Sequence, residues 1–181
     1  MEEERYPSLP WQGWKIVKKL GRGGYGSVYQ AQRNSAGVME DAAIKVISFP
    51  KDKEDIEADF TDGYDIVSVR NKYKDMLHRY VDEYQIMLAF KGQTNIVSCD
   101  DFATKPHEDG IGWDVFIRME LLTPLTMLIK QYAGSIPEEK VIKVGMDICS
   151  ALILCESKHI VHRDIKPENI MVSEFGDYKL G

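Results

Sequence analysis

Between residues 162 and 169 the chain reads His162-Arg163-Asp164-Ile165-Lys166-Pro167-Glu168-Asn169. A carboxylate, an ammonium two residues on and a carboxamide five residues on, in a proline-containing loop, assemble three groups. They are an acceptor for a hydroxyl proton, a cation for a transferring phosphate and an oxygen for Mg2+, the set that phosphoryl transfer needs. The plain alternative is a solvated, charged loop between a helix and a strand. A second segment, Gly21-Arg22-Gly23-Gly24-Tyr25-Gly26-Ser27-Val28, spaces its glycines as G-x-G-x-x-G-x-V. Glycine lets backbone N–H groups approach phosphate oxygens without a Cβ in the way, and it accepts positive φ. Dinucleotide folds use the same spacing, but there a helix must begin inside the motif. Here Ser27 to Gln32 is strand-like, so that reading falls, and Glu40 and Asp41 are decoys for its ribose carboxylate. No G-x-x-x-x-G-K-[ST] occurs, which removes the Walker alternative and leaves a ligand-free glycine hairpin as the competing one. The third feature is Lys45, in the middle of the apolar run Ala42–Ile47. An ammonium against a core face is costly unless anions receive it. Nucleotide phosphates could do so, as could a helix carboxylate. Glu83 lies between Tyr80 and Tyr84, and Asp82 also suits the spacing. The remaining course is for Lys45 to snorkel out at a sheet edge.

The elements that must position these groups follow from periodicity. The first ten residues are charged, carry Pro7 and Pro10, and read as a loose leader. Trp14, Ile16 and Leu20 share one side of an extended segment, and the glycine cluster, Ser27–Gln32, a turn at Asn34–Gly37 and Ala42–Ile47 complete an antiparallel meander. Residues 48–66 are acidic, with Pro50 and Gly63 as breakers, and are expected to be an exposed connection with at most a short helical turn. Val69, Tyr73, Met76, Tyr80, Tyr84, Met87 and Leu88 then form the stripe of a long helix from Val67 to about Phe90. Ile96–Phe102 and Trp113–Met119 read as two more strands. A second long helix is expected from Glu138 to Lys158, with Ser135 as its N-cap, burying Val141, Ile142, Val144, Ile148, Ala151, Leu152 and Cys155. Ile170–Val172 and Tyr178–Leu180 make a hairpin around residues 174–177. The break between a β-rich and an α-rich part falls near residues 121–124.

Composition narrows the classes. The chain has 181 residues and a net charge of −6. Length gives about one domain as a prior, and the acidic balance argues against a nucleic-acid protein built on a basic face. Cys99, Cys149 and Cys155 form neither a closed disulfide set nor a CxxC pair. The acidic start is not a signal peptide, and no apolar run approaches the ~20 residues of a membrane helix. The expectation is a reducing, aqueous compartment, taken as cytoplasmic.

With its three motifs in this order, the chain resembles the protein kinase family, serine/threonine branch, over residues 14–181. The resemblance implies an α+β fold in which a five-stranded antiparallel N-lobe sheet with one long helix precedes the truncated start of an α-rich C-lobe. The division is a leader at 1–13, an ATP-binding N-lobe at 14–120, and a hinge with partial C-lobe and catalytic loop at 121–181. The implied cofactors are ATP and Mg2+. Leu20, Gly21, Gly23, Gly24 and Gly26 fall in the loop over the phosphates. Val28 and Ala43 line the adenine pocket from above and Met171 closes it from below. Lys45 holds the α- and β-phosphates, with Glu83 pairing to it when the helix is docked. Met119 sits at the back, and Glu120 and Leu122 offer hinge backbone groups. Asp164 accepts the substrate hydroxyl proton, Lys166 stabilises the transferring phosphate, and Asn169 binds one Mg2+. His162 holds the loop, and Arg163 resembles the arginine that pairs with a phosphorylated activation segment.

Lys166 also points to serine or threonine, not tyrosine, on a protein substrate; no nucleic-acid partner and no membrane segment in this chain are expected. Two departures stand out. Lys91-Gly92-Gln93-Thr94 replaces the usual His-Pro turn, and Tyr178-Lys179-Leu180-Gly181 is the run that normally precedes Asp-Phe-Gly. The corresponding expectation is an incomplete kinase domain, weakly active or inactive alone, whose second long helix exposes apolar surface. The competing readings are a pseudokinase or nucleotide-binding scaffold and a small-molecule kinase. Lys166-Pro167-Glu168-Asn169 favours a protein hydroxyl over the latter.

Overall fold

The structure, a computed structural model, describes residues 6–23, 26–132 and 135–181. Alternating apolar residues set up the strands β1 (Lys15–Gly23), β2 (Gly26–Ser35) and β3 (Val38–Phe49). A two-residue turn joins β2 to β3, with Ala36 at φ 52° and Gly37 at φ 88°, and the Asn34 side chain accepts the Gly37 N–H at 3.0 Å. Positive φ at both positions matches the right-handed twist of the flanking strands. With β4 (Cys99–Pro106) and β5 (Trp113–Met119) they form one antiparallel sheet in the order β1-β2-β3-β5-β4. Ala42, Ile44 and Val46 of β3 pack with Trp14, Ala31 and Phe116 on one face. Ile47 and Phe49 pack on the other with Val69 and Tyr73 of the helix α2 (Ile66–Leu88). Burial on both faces explains the nearly unbroken apolar run of β3.

Several sequence expectations change here. The leader is not loose from Tyr6 onward. Leu9 and Trp11 pack on the sheet, Tyr6 meets Tyr29 edge-on at 5.9 Å, and Trp11 meets Phe116 at 6.4 Å. Arg118 stacks over both Trp11 and Trp14, a cation–π pairing whose partners are about a hundred residues apart. Leu20 does not share a side with Trp14, because register shifts at Val17 and Leu20 interrupt the period-two alternation and leave Leu20 exposed. The fourth strand starts at Cys99, not Ile96, and Leu88 is exposed at the end of α2.

The acidic connection is a nine-residue helix, α1 (Lys53–Thr61), capped by the Asp52 side chain on the Asp55 N–H. It has no apolar stripe, so periodicity could not reveal it. Its hold on the molecule is Asp59, a buried carboxylate that accepts from the Lys72 ammonium and from the Tyr73 hydroxyl at 3.1 Å. The hydrogen bond from Lys72 outweighs burial and holds the Asp59 carboxyl below its ordinary 3.8. A carboxyl depressed on folding stabilises the native state above its unfolded value, and that contribution is lost as pH falls through the folded value. Urea titrations should therefore show wild-type stability declining below about pH 4, with a shallower acid limb for Asp59→Asn.

The chain divides into two compact units, one comprising the residues up to 89 with 99–120, the other 90–98 with 121–181. Within the second unit, Asn95, Ile96 and Val97 bond to the last strand, through Tyr178 and Leu180. In the second unit β6 (Thr123–Pro124) leads into α3 (Leu125–Gln131), then α4 (Glu138–Ser157), a 3-10 turn at Pro167–Asn169, and the hairpin β7 (Ile170–Val172) and β8 (Tyr178–Leu180). The strands β6, β7 and β8 form a small antiparallel sheet. Its core joins Leu125, Ile148, Ala151, Ile170, Tyr178 and Leu180. Pro137, not Ser135, is the N-cap of α4, its carbonyl accepting from Lys140 and Val141 N–H. Val141 and Ile142, expected in the core, are exposed along with Met146 and Ile153, because the inward face of α4 runs through Val144, Ile148, Ala151, Leu152 and Cys155.

Candidate functional site

In the first unit the glycine motif is a hairpin tip. Gly21 pairs with Val28, Arg22 with Ser27, and Gly23 with Gly26; Gly24 lies outside the described residues. Gly26 is required by sterics, since at φ 142° a Cβ would meet the Val46 carbonyl oxygen at 2.2 Å. A Cβ at Gly21 or Gly23 would meet nothing within 4 Å, so both glycines border open space that a ligand's oxygens can approach. Gly26→Ala should thus lower the thermal midpoint with or without nucleotide. Gly21→Ala should leave the unliganded midpoint unchanged and weaken nucleotide affinity, and paired melting and titration curves separate the two effects.

Lys45 lies opposite Val28 on β2 and Ile117 on β5, on the face it shares with Ile47 and Phe49. Ala43, two residues earlier on that face, is buried and pairs with Met119, which packs against the same core. Lys45 and Glu83 line one cleft of about 390 Å3 with Met76, Arg79 and Tyr80. Asp82, the other candidate carboxylate, is not among its lining residues. Among the described residues no ion pair joins Lys45 to Glu83, although both line the cleft. Arg79, a second cation in that cleft, was not picked out from the sequence; it sits one turn before Glu83, the only signal available. Glu120 follows β5, and Leu122 precedes β6 in the irregular stretch 120–122.

In the second unit the loop after α4 is fixed from both ends. The α4 residue Asp147 accepts the Tyr178 N–H at 2.9 Å and the Lys143 ammonium at 2.7 Å. Asn95 holds β8 through its amide on the Tyr178 carbonyl at 3.0 Å and its carbonyl on the Leu180 N–H at 2.9 Å. Gly181 is thereby placed so that its carbonyl meets His162 Nε2 at 3.0 Å, while Nδ1 faces the Asp164 N–H at 3.3 Å. Those partners make Nε2 the protonated nitrogen and Nδ1 the acceptor. Arg163 takes φ 66°, a left-handed conformation uncommon outside glycine, and turns the chain one residue before Asp164.

Asp164, Lys166 and Asn169 come together. Asp164 Oδ2 accepts from Lys166 Nζ at 2.8 Å and from Asn169 Nδ2 at 2.8 Å, and Nδ2 also reaches the Asp164 carbonyl at 2.8 Å. The Asn169 nitrogen is committed to Asp164, and among the described residues neither Asn169 Oδ1 nor Asp164 Oδ1 has a protein hydrogen-bond partner. The hydrogen bond from Lys166, then that from Asn169, hold the exposed Asp164 carboxyl below its usual value. Met171 pairs with Pro124 and Lys179 in the small sheet. The Asn169 oxygen suits Mg2+, which takes one or two protein oxygens and completes its shell with phosphate and water. Among the described residues there is no group of three or more His, Cys, Asp or Glu that could hold a metal by itself.

A glycine hairpin and a lysine–glutamate cleft in the first unit and an Asp–Lys–Asn cluster in the second are residue types that protein kinases employ. A family model for the protein kinase domain matches residues 14–181, and the chain belongs to that family. It is 28% identical over 181 residues to CBL-interacting serine/threonine-protein kinase 5 of Arabidopsis thaliana, covering 99% of this chain and 34% of that protein. It is 29% identical over 170 residues to mitogen-activated protein kinase kinase kinase 5 of the same plant, covering 92% and 20%. Over 69 residues it is 45% identical to the human dual specificity mitogen-activated protein kinase kinase 7, covering 37% and 16%. The chain spans about a third or less of the length of the curated relatives it matches. No helix among the described residues is long and apolar enough to cross a membrane.

Proposed function

We propose that this domain binds Mg·ATP and transfers its γ-phosphate to serine or threonine hydroxyls of a protein. The observation that carries the reading is the Asp164 carboxylate, gripped on one oxygen by Lys166 and Asn169 and open on the other. The acceptor hydroxyl donates to the open oxygen, which aligns it for attack. The hydroxyl oxygen then bonds to the γ-phosphorus, the bond to the ADP oxygen breaks, and the hydroxyl proton passes to Asp164. A carboxyl held at low pKa is a weak base, so Asp164 acts mainly by orientation and takes the proton late. Lys166, beside it, offsets the charge of the moving phosphoryl group. Asn169 Oδ1 would hold Mg2+, which would supply charge neutralisation for the phosphates.

Leu20, Gly21, Gly23, Gly24, Gly26, Val28, Ala43, Lys45, Glu83, Met119, Glu120, Leu122 and Met171 are assigned to the nucleotide, supported by the motif match and by the open glycine tip. The three free cysteines suit a reducing compartment such as the cytoplasm. The test is transfer of label from γ-labelled ATP to a generic protein acceptor, with hydrolysis of the product to phosphoamino acids. Phosphoserine and phosphothreonine support the reading. Phosphotyrosine alone overturns the acceptor class. Nucleotide binding without transfer, in this chain and in one extended past Gly181, supports a binding scaffold instead.

A further inference from the structure

Of the residues in α1, Asp59 alone is buried. One of its oxygens accepts from Lys72 and the other from Tyr73, two consecutive residues of α2. Consecutive helical residues point about 100° apart, so a carboxylate gripping both opposes rotation of α2 in either sense, where a single bond would act as a pivot. The Tyr73 ring is itself buried in the core with Ile47, Phe49 and Val69, and Phe49 stacks on Tyr80 at 5.3 Å. Glu83 follows Lys72 by eleven residues, about three helical turns, and so returns to nearly the same side of the helix. A rotation admitted at Lys72 is carried through the rigid helix to Glu83, moving it along the cleft it shares with Lys45 and Arg79. Beside this contact lies a half-open cleft of about 810 Å3, lined among others by Asp55, Asp59, Tyr73 and Met76. The attachment of α1 therefore depends on Asp59 more than on broad apolar packing.

We propose that Asp59 is a positioning residue: through Lys72 and Tyr73 it sets the rotation of α2 and thereby places Glu83 opposite Lys45. The inference rests on the kinase reading for the purpose of that placement, and it is tested by two measurements. In the first, spin labels at Lys105→Cys on β4 and Ile86→Cys on α2, in a Cys149→Ser background, report the distance between helix and sheet without nucleotide. A narrow distribution that shifts or broadens with Asp59→Asn is expected; an unchanged distribution overturns the proposal whether or not the chain binds ATP. In the second, Mg·ATP affinity is measured for wild type, Asp59→Asn, Glu83→Gln and the double variant. Asp59→Asn should weaken binding about five- to tenfold in the wild-type background, within the usual range of site coupling, and have no effect once Glu83 is Gln. Equal losses in both backgrounds, or a lowered thermal midpoint with unchanged affinity, would mean that Asp59 serves folding only. Absence of ATP binding in wild type, with the label distances responding as expected, would fault the kinase reading and leave the helix-positioning role standing.

Discussion

Replacing Asp164 by Asn is expected to cut phosphoryl transfer by about a hundred- to ten-thousandfold, the usual contribution of a positioned proton acceptor. The carboxamide keeps the size of the side chain, and Oδ1 can still accept from Lys166 or Asn169, so the loop should hold its shape. What disappears is the negative oxygen facing outward. Because Asp164 is exposed and its interactions lie within the loop, the thermal midpoint should move little. Nucleotide affinity should also stay near that of wild type, placing the loss in kcat. The low carboxyl pKa fixes the sign of the pH dependence. Asp164 remains ionised at neutral pH, so its protonation should reduce transfer only as pH drops below about 4, where Asp164→Asn becomes pH-independent in this limb. Initial-rate measurements over that range, with buffer-matched folding controls, check both statements. A variant retaining wild-type kcat would remove Asp164 from the chemistry.

Lys45→Met should weaken Mg·ATP binding by about ten- to a hundredfold, the equivalent of one charge-assisted hydrogen bond of roughly 1.5–3 kcal/mol. Methionine retains most of the apolar stem and removes the ammonium. Since no protein anion pairs with Lys45 among the described residues, folding loses no ion pair, and a half-buried charge is taken off a core face. The unliganded thermal midpoint should therefore be unchanged or slightly raised while affinity falls. Isothermal titration and melting curves on the same preparation separate these outcomes. Equal affinity in both proteins would show that the ammonium meets no phosphate.

Local pattern carried much of this molecule. The strand at Trp113–Met119, the helix from Glu138, the terminal hairpin and the spacing of Asp164, Lys166 and Asn169 were all legible, because each depends on neighbours a few residues away. Lys45 was conspicuous for the same reason: one cation in an apolar strand is an anomaly visible without coordinates. The misses share a different cause. Helix α1 has no apolar face and is held by Asp59 reaching residues 13 and 14 positions on. Trp11 is ordered by Phe116 and Arg118 from the far end of the sheet. Val141 and Ile142 are apolar and helical, yet lie outside the inward face of α4.

The primary structure was thus sufficient to pick out the candidate groups, since side-chain type and short spacing define a glycine-rich turn or a carboxylate–amide pair. It was also sufficient for most of the strands and long helices, whose periods are written into successive residues. Tertiary packing decided the rest. It turned an acidic connection into a helix, clamped β8 through Asp147 and Asn95, and oriented Asn169 by committing its nitrogen to Asp164. Those outcomes depend on which partners meet across long stretches of chain, and no pattern confined to a few neighbouring residues encodes that.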